Sequence, residues 1–576
     1  MPKREKQSFL HGALILSVAA ILTKIIGALF FKIPLQNINQ TAYGYFEAAY
    51  NIYIPLYTVS TAGFPIAVSR LVSESLALGR YRDIRVIHRV ANRIFFVTGT
   101  LGTVLMFIAA FLYPNFVHMP PVLLTMLVMA PSILFCCMVS AYRGVYEGSR
   151  NMYPTAISQI LEAVGKLAVG LGLAAGALHL GQWQFEHGGV VFGKAASSAS
   201  EALEISLPYI AAGGMVGVTF GSFLSLAYLV LRYRLKGNGI TRAELASSPR
   251  PYSPKRIFRR LLAFAIPVAL GTLATQLTNL IDVVSLQRCL AVVVEQSGDV
   301  IREMYASQIA ASGTNDILAY LTANRGIAMT YVNLVPNITL TLGISALPVI
   351  TSAWAMKNRP QLKKMVSVVL RITLLVALPS GIGLSLMAKP ILNLIYDPVT
   401  ASVAGPQLQV LGIAVVFICL TAPINSMLQA MGRADIPAKI VLAGGLVKLV
   451  LNIALVLQPR LNIMGSAYST LACYIVMVLL SLAALRRVVG IRLNWRMIFV
   501  KPLAASLLCG ASAWVTNALL SKVISVRISA VIAILAAVVV YIVALLLVKA
   551  IEKDDVLMLP KGEKIAQVLE KHNWIG

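Results

Sequence analysis

Residues 121–154 read PVLLTMLVMAPSILFCCMVSAYRGVYEGSRNMYP. The part Val122–Ala141 carries no charged side chain, and its length is close to the ~20 apolar residues that a helix needs to cross a bilayer. Arg143 follows at once, and Gly148 and Pro154 then separate this run from the next apolar run. Because backbone groups that face lipid must bond within their own segment, the stretch predicts a membrane-spanning helix that ends in a polar turn.

The same alternation of apolar runs and short polar breaks continues along the chain. Of the 576 residues, 58% are hydrophobic and only 12% are charged, about half the charged share of a soluble domain. This composition excludes a cytosolic enzyme, a secreted disulfide-stabilised domain and a disordered protein. It predicts an all-α polytopic membrane protein with about fourteen transmembrane helices. The predicted helices lie near 8–35, 43–76, 88–113, 120–147, 153–180, 205–233, 257–288, 322–355, 362–389, 405–431, 436–458, 463–487, 497–520 and 526–550.

The net charge of +27 is concentrated in alternate loops. Arginine and lysine crowd the connections around 80–93, 143–150, 232–260, 357–364 and 486–496, whereas the opposite connections are richer in Glu and Asp. By the positive-inside rule, the basic loops and both chain termini are cytoplasmic. The charge therefore indicates membrane topology, and it does not indicate a nucleic-acid partner.

Two pairs of similar segments indicate an internal repeat. Tyr50–Pro55 and Tyr331–Pro336 both combine Tyr, Asn and Pro, and Gly148–Pro154 and Gly432–Pro437 each lead into a helix with a lysine near its centre. The copies follow in the same order and direction, which predicts two parallel six-helix repeats, a plan of transporters. The alternative is chance recurrence of Gly and Pro breaks. The predicted hinges at these breaks are Pro55, Pro65, Pro336 and Pro348.

Three lysines lie near the centres of predicted membrane helices: Lys24, Lys166 and Lys448. A charge at such a depth costs roughly 2.5–3.5 kcal/mol, so it needs a partner or a water-filled cavity. Glu162 lies one turn before Lys166, which is therefore either part of a structural ion pair or a ligand contact. Lys24 and Lys448 have no acidic residue one turn away, which favours a role in lining a cavity.

Other polar residues in the predicted helices allow two interpretations. Glu47 and Asn51, near the outer end of the second helix, face either a substrate or the membrane interface. Asp282 also has two interpretations. It is either an oxygen ligand for Na⁺ or part of a proton relay, or it forms an interhelical hydrogen bond or salt bridge. Arg143 and Glu147, four residues apart at a helix end, predict a surface ion pair.

Sequence signatures of enzymes are missing. The chain has no nucleotide-binding P-loop and no His-Glu-x-x-His motif, and its longest outer loops, of about 25 residues, are too short for a catalytic domain. We therefore expect a protein that moves a substrate and is not an enzyme.

The stretch Gly63–Glu74 (GFPIAVSRLVSE), the segment from Arg143 to Pro154 and the repeat layout resemble the multidrug/oligosaccharidyl-lipid/polysaccharide flippase superfamily. Within it, the chain is most similar to the branch of stage V sporulation protein B-like proteins and MurJ-type lipid II flippases, over essentially its whole length. The resemblance implies a V-shaped pair of six-helix bundles around a central cavity, and two further helices that help to form a groove for a lipid tail. The implied domains are 1–233 (first bundle), 234–256 (basic cytoplasmic linker), 257–487 (second bundle), 488–550 (two additional helices) and 551–576 (cytoplasmic tail).

The resemblance also implies a function. It is the transport of an undecaprenyl-pyrophosphate-linked cell-wall precursor, lipid II or a related oligosaccharide, from the inner to the outer leaflet of a bacterial cytoplasmic membrane by alternating access. Lys24 matches a basic position of the family's first helix, whereas Phe30 occupies a place that is often basic. With Lys166 and Lys448, Lys24 would hold the diphosphate. The implied cation site consists of Asp282, Asn452 and Thr470.

We expect no cofactor other than a coupling Na⁺ or H⁺. The expected protein is a monomer that contacts membrane lipids and the cell-wall synthesis machinery, with a role in peptidoglycan biosynthesis or sporulation. Three alternatives differ in kind. A cation-coupled multidrug antiporter of the same superfamily usually has twelve helices, and a membrane-embedded glycan polymerase would need a larger outer loop. The third alternative is a non-transporting scaffold of the cell-wall or spore machinery.

Overall fold

The computed structural model describes residues 9–552 except 62, 238, 313–314, 337–338, 340–349, 355, 434 and 491–493. The described chain is helical apart from one two-stranded antiparallel hairpin. The α-helices are α1 Phe9–Ile25, α2 Ile33–Ile38, α3 Gln40–Thr61, α4 Phe64–Ala77, α5 Tyr81–Phe116, α6 Val122–Gly148, α7 Tyr153–Gly188, α8 Ala199–Lys236, α9 Arg242–Ser247, α10 Pro254–Gln296, α11 Gly298–Met304, α12 Ala306–Ser312, α13 Ile317–Val332, α14 Arg359–Leu386, α15 Ala388–Asn393, α16 Pro398–Ala430, α17 Asp435–Val456, α18 Asn462–Val489, α19 Lys501–Leu520 and α20 Val526–Leu547. The strands are β1 Val190–Val191 and β2 Lys194–Ala195, and π-helical segments span Ile26–Lys32 and Arg496–Val500.

The predicted fold class is confirmed. Among the described residues, 13 helices are long and apolar enough to cross a membrane. The predicted segment 322–355 is described only in part, because 340–349 lies outside the described residues. The chain is therefore an all-α, multi-pass membrane protein.

Three predicted segments differ in detail from the structure. The first, 8–35, changes from α to π geometry at Ile26. The second, 43–76, is broken at Gly63, whose φ of 74° lies in the left-handed region that a glycine adopts without a Cβ clash. The stretch 181–204 is not an open loop, because α7 continues to Gly188 before the hairpin begins. Helix α7 thus continues through polar residues beyond its apolar part. Hydropathy predicts only the apolar part of such a helix.

The chain folds as two compact units, Met1–Ala291 with Ser312–Ala323, and Val292–Ala311 with Asn324–Gly576. In the first unit, glycines bring α7 and α8 into backbone contact. Gly213, Gly217 and Gly221 recur every four residues along α8 and form one small-residue stripe, the arrangement that lets membrane helices approach closely. A Cβ added to Gly217 would lie 2.4 Å from the Cα of Gly170 on α7. This close packing fixes the position of the polar residues on α7.

The polar linker after α8 is bound to the start of α5. Asp83, only 2% exposed, accepts a hydrogen bond of 2.5 Å from Arg80 Nε and one of 2.7 Å from the backbone N–H of Tyr252. The hydrogen bond to Asp83 raises the pKa of Arg80. The Tyr252 ring lies 3.6 Å from the Arg80 guanidinium and 4.0 Å from that of Arg256. These contacts hold the linker as an ordered strap, residues 241–256.

The second unit packs α14, α16 and α18 around a continuous apolar core. Arg371, only 2% exposed within α14, pairs with Glu552 at 2.8 Å. Tyr541 of α20 donates a hydrogen bond of 2.6 Å to the Leu375 carbonyl, also on α14. The final helices are therefore attached to α14 by a buried ion pair and a hydrogen bond in addition to apolar contacts.

Candidate functional site

A lysine that the sequence analysis did not single out lies at the centre of the polar cluster in the first unit. Lys32 ends the π-helical segment, and its Nζ lies 3.1 Å from the carboxylate of Glu47 on α3. The Tyr43 hydroxyl donates a second hydrogen bond to the same carboxylate, at 2.9 Å. Glu47 is only 6% exposed. The charge of this buried carboxylate is thus balanced by Lys32, and the substrate-facing and interfacial interpretations of Glu47 both stay predictions.

Lys166 enters the same cluster without a carboxylate partner. Its Nζ lies 4.5 Å from the ring centroid of Phe31 and 5.2 Å from that of Tyr50. Lys32 Nζ lies 5.4 Å from the same Tyr50 ring. Within the described part of the chain, none of the ion pairs includes Lys166. Aromatic faces attract an ammonium group without pairing it with an anion, so Lys166 could still bind an anionic group.

Glu162, the expected neutraliser of Lys166, binds Arg143 instead. Arg143 donates to the Glu162 carboxylate at 2.9 Å, to Ser158 Oγ at 2.9 Å and to Ser225 Oγ at 3.2 Å. The prediction of a surface pair between Arg143 and Glu147 was therefore wrong, because the arginine turns towards α7 and α8. A guanidinium has donors for several acceptors at once, and the hydroxyls of these helices supply them.

The carboxylates nearest to Lys166 are engaged with other cations. Glu47 pairs with Lys32, Glu162 pairs with Arg143, and Glu147, one turn after Arg143 on α6, is a third acidic residue next to that arginine. Among the described residues of the cluster, Lys166 is the cation that forms no ion pair. A positive charge in surroundings of low dielectric constant interacts strongly with an incoming anion.

One wall of the cluster is a continuous row of aromatic rings along α3. Successive centroids lie 5.8, 5.6, 5.9 and 5.7 Å apart. The row consists of Tyr43, Phe46, Tyr50, Tyr53 and Tyr57. Asn51 lies on the same helix and is half-buried. Spacings of three and four residues place these rings on one face of the helix, where they hold each other in position.

The other predicted substrate-binding lysines lie elsewhere. Lys24 is exposed on α1, just before the π-helical segment. Lys448 is half-buried on α17, which belongs to the second unit. The first unit thus brings together Lys166 and Glu47, and adds Lys32. The role of Lys24 and Lys448 stays a prediction.

The residues of the predicted cation site fall in both units. Asp282 is buried on α10 in the first unit. In the second unit, Asn452 is fully buried and accepts a hydrogen bond of 2.5 Å from Ser469 Oγ, whereas Thr470 donates to the Ser466 carbonyl at 2.8 Å. Asn452 is thus bonded to Ser469 and Thr470 to a backbone carbonyl of its own helix, and the cation site stays a prediction. In the parts of the chain that the structure describes, no group of three or more His, Cys, Asp or Glu residues could hold a metal ion.

Arg325, which the sequence analysis also missed, lies beside these polar groups of the second unit. Its Nε donates to Ser466 Oγ at 3.0 Å. Arg325 could have been found from the sequence, because it is a charged side chain within the predicted membrane segment 322–355. The same criterion drew attention to the three lysines. Lys32 carried a weaker signal, since it stands at the end of an apolar run, where a lysine is ordinary.

The predicted hinges lie at helix breaks or within helices. Pro55 is inside α3, Pro65 is in the first turn of α4, and Pro336 follows α13. Pro348 lies outside the described residues. Their function as hinges stays a prediction.

An apolar cavity of about 430 Å³ lies within the second unit. Residues from α13 to α15 form one side of it, and α19 and α20 form the other. Among its lining residues are Leu334, Pro379, Met387, Cys509, Ala537 and Tyr541. Cavities of this volume and character accept a flexible hydrocarbon group.

Comparisons with known proteins identify relatives of this chain. The profile of a family described as "Lipid II flippase MurJ" matches residues 97–534. Among curated proteins, stage V sporulation protein B of Bacillus subtilis (strain 168) is 24% identical, and the match covers 88% of each chain. Lipid II flippase MurJ of the same organism is 23% identical, over 84% of this chain and 83% of the relative. Among solved structures, a lipid II flippase MurJ in an inward closed conformation has a TM-score of 0.62 at 14% identity, covering 92% of this chain and 98% of the other, which shows the same fold.

Proposed function

Since the chain belongs to the MurJ family of lipid II flippases, we propose that it moves an undecaprenyl-pyrophosphate-linked cell-wall precursor from the inner to the outer leaflet by alternating access. The observation that carries this proposal is the ammonium group of Lys166, which lies 5.2 Å from the Tyr50 ring centroid and forms no ion pair among the described residues, while Glu47 and Glu162 pair with other cations. A diphosphate is the part of such a precursor that would supply the opposite charge.

Lys166 and Lys32 would bind the diphosphate together. Both ammonium groups lie beside the Tyr50 ring, at 5.2 and 5.4 Å from its centroid. A diphosphate has several anionic oxygens and can accept from two ammonium groups at once, and charge-assisted hydrogen bonds of this kind are about twice as strong as neutral ones. Lys32 would then exchange part of its contact with Glu47 for a phosphate oxygen.

The polyprenyl tail would lie in the apolar cavity of the second unit, lined in part by α19 and α20. These two helices distinguish the chain from the twelve-helix drug antiporters that the sequence analysis kept as an alternative. The positive-inside assignment places both termini in the cytoplasm, in which case the inside-negative potential favours outward movement of an anionic headgroup. We also retain Asp282, Asn452 and Thr470 as proposed ligands of a coupling Na⁺.

The proposal is tested with Lys166→Met in proteoliposomes that contain fluorescent lipid II. We expect transport to fall at least about tenfold, because the substitution removes the only charge of the cluster that lacks a carboxylate partner among the described residues. The control is Lys522→Met, an exposed lysine after α19. Unchanged transport by Lys166→Met, with a correctly folded protein, would remove this lysine from the mechanism.

A second test is made in cells. A bacterial strain that lacks its own lipid II flippase should survive when it expresses this chain, and should die when it expresses Lys166→Met at the same level. Survival with a drug-export phenotype but without precursor export would support the antiporter instead.

A further inference from the structure

A second cavity lies at one end of the second unit, far along α14 from the apolar cavity. Its volume is about 560 Å³, and it is lined by Ala353, Trp354, Lys357, Arg359 and Leu362. It therefore combines two cationic side chains with an indole and two aliphatic groups. Neither the proposed transport site nor the tail cavity uses any of these residues.

The cationic groups of this cavity are held in position by the backbone around them. Arg359 donates a hydrogen bond from its guanidinium to the Val489 carbonyl at the end of α18, and its guanidinium lies 6.0 Å from the Trp354 ring centroid. Lys357 has a φ of 54°, and the N–H groups of Lys357 and Asn358 bond the carbonyls of Trp354 and Ala353, at 3.0 and 2.9 Å. This is the bonding pattern of a helix that ends in a left-handed residue, a place that glycine usually takes.

The two chain segments that border the cavity are rich in basic residues. Residues 353–364 include four basic side chains and residues 486–501 include five, and neither range contains Asp or Glu. Asp435, the first residue of α17, is an acidic residue of the second unit, and it is already paired with Arg433 at 3.2 Å. A cavity bordered by charges of one sign concentrates ions of the opposite sign.

The apolar lining indicates which anion fits. A free inorganic anion gains nothing from Trp354 and Leu362, whereas a phospholipid presents a phosphate next to a glycerol and acyl chains. Tryptophan is enriched where membrane helices meet the headgroups, and basic pockets between helices on the cytoplasmic side bind anionic lipid headgroups. The positive-inside rule assigns this end of α14 to the cytoplasmic side.

We propose that this cavity is a binding site for an anionic glycerophospholipid of the inner leaflet. The lipid phosphate lies between Lys357 and Arg359, and its glycerol backbone contacts Trp354. The site shares no residue with the proposed precursor site, because its lining residues belong to the second unit, whereas Lys32, Glu47 and Lys166 belong to the first.

The experiment measures lipid binding to the purified full-length protein by native mass spectrometry. Phosphatidylglycerol and phosphatidylcholine are titrated separately against the natural protein and against two variants. Lys357→Asn removes the charge and suits the left-handed backbone, since Asn adopts that region more readily than Lys. Arg359→Gln removes the second charge. The matched control is the pair Lys522→Gln and Arg527→Gln, exposed basic residues at the other end of α19 and α20.

We expect the natural protein to bind phosphatidylglycerol in preference to phosphatidylcholine. Each of the two cavity variants should weaken phosphatidylglycerol binding about fivefold and leave phosphatidylcholine binding unchanged, and the control pair should have no effect. Equal binding of the two lipids would overturn the proposal, as would equal losses in the control. Displacement of phosphatidylglycerol by inorganic phosphate at comparable concentration would also overturn it, because the site would then recognise a free anion. The thermal stability of Lys357→Asn should stay at or above the natural value, which separates lost binding from lost folding.

Discussion

At the scale of single residues, one carboxylate determines how strongly the lysine cluster attracts an anion. Glu47 lies 3.1 Å from Lys32 and accepts a further hydrogen bond from Tyr43, so it neutralises a charge that would otherwise be available to a substrate. Lys166 forms no ion pair with a carboxylate among the described residues. The proposed site thus contains one available cation and one that must exchange its partner.

Substituting Glu47 should separate substrate binding from transport. Glu47→Gln keeps the shape of the side chain and removes its charge, so the diphosphate no longer competes with a carboxylate for Lys32. We expect lipid II to bind about fivefold more tightly, equivalent to about 1 kcal/mol, and to be transported more slowly because release is impeded. Binding is measured by native mass spectrometry and transport in proteoliposomes. Glu186→Gln, at an exposed position near the end of α7, is the control, and weaker binding by Glu47→Gln would contradict the competition.

At the scale of helices, packing depends on glycine contacts where two backbones meet. The pair of α7 and α8 is the clearest case, since the Cβ-free faces of Gly217 and Gly170 touch. In a membrane, where lipid is as apolar as a helix surface, such close contact is a principal source of helix association. The position of Lys166 and Glu162 on α7 therefore depends on residues that carry no functional group.

The glycine contact can be tested with a pair of substitutions. Gly217→Ala adds a methyl group 2.4 Å from the Gly170 Cα, and we expect it to destabilise the protein by about 1–3 kcal/mol. Gly176→Ala, on α7 itself, meets nothing within 4 Å and should leave stability unchanged or raise it slightly. Thermal unfolding in detergent measures both, and equal effects would show that the contact does not determine stability.

The strap of residues 241–256 is also an element whose order depends on few contacts. Asp83→Asn should weaken the bonds to Arg80 and Tyr252, because a neutral amide accepts more weakly than a carboxylate. Losing a hydrogen bond to a charged group costs about 1.5–3 kcal/mol, so we expect trypsin to cleave the linker at least about tenfold faster. The control is Asp299→Asn, an exposed residue of α11. Unchanged cleavage would mean that the strap is held by the arginine–tyrosine stacking alone.

At the scale of the whole molecule, most charged residues lie outside the apolar runs. The chain has a net charge of +27, and basic residues occupy alternate loops. In the first unit, Lys32 and Lys166 both lie beside the ring of Tyr50. The charges of the loops are thus distinct from the two that the proposed site would use.

Transport should respond to the membrane potential. An inside-negative potential favours outward movement of a negative headgroup by roughly 2.3 kcal/mol per charge for each 100 mV. We expect precursor transport in proteoliposomes to rise when a potassium gradient with valinomycin makes the compartment that faces the cytoplasmic side of the protein negative. Transport should fall when the gradient is reversed. The Lys166→Met protein provides the baseline. Transport that depends on a sodium gradient and ignores the potential would favour cation coupling.

The amino-acid sequence by itself determined the class of protein and the position of most membrane helices, and it drew attention to Lys166 and Glu47. These properties follow from composition, from the length of apolar runs and from the cost of a charge in hydrocarbon, none of which needs a partner from elsewhere in the chain. The tertiary structure decided which charges meet. Lys32 binds Glu47 from a different helix, and Glu162 on α7 binds Arg143 on α6 although Lys166 lies one turn away on its own helix. Sequence spacing reports neighbours along one helix, whereas ion pairs form wherever packing brings donors and acceptors together, and that packing is set here by the glycine contacts between helices.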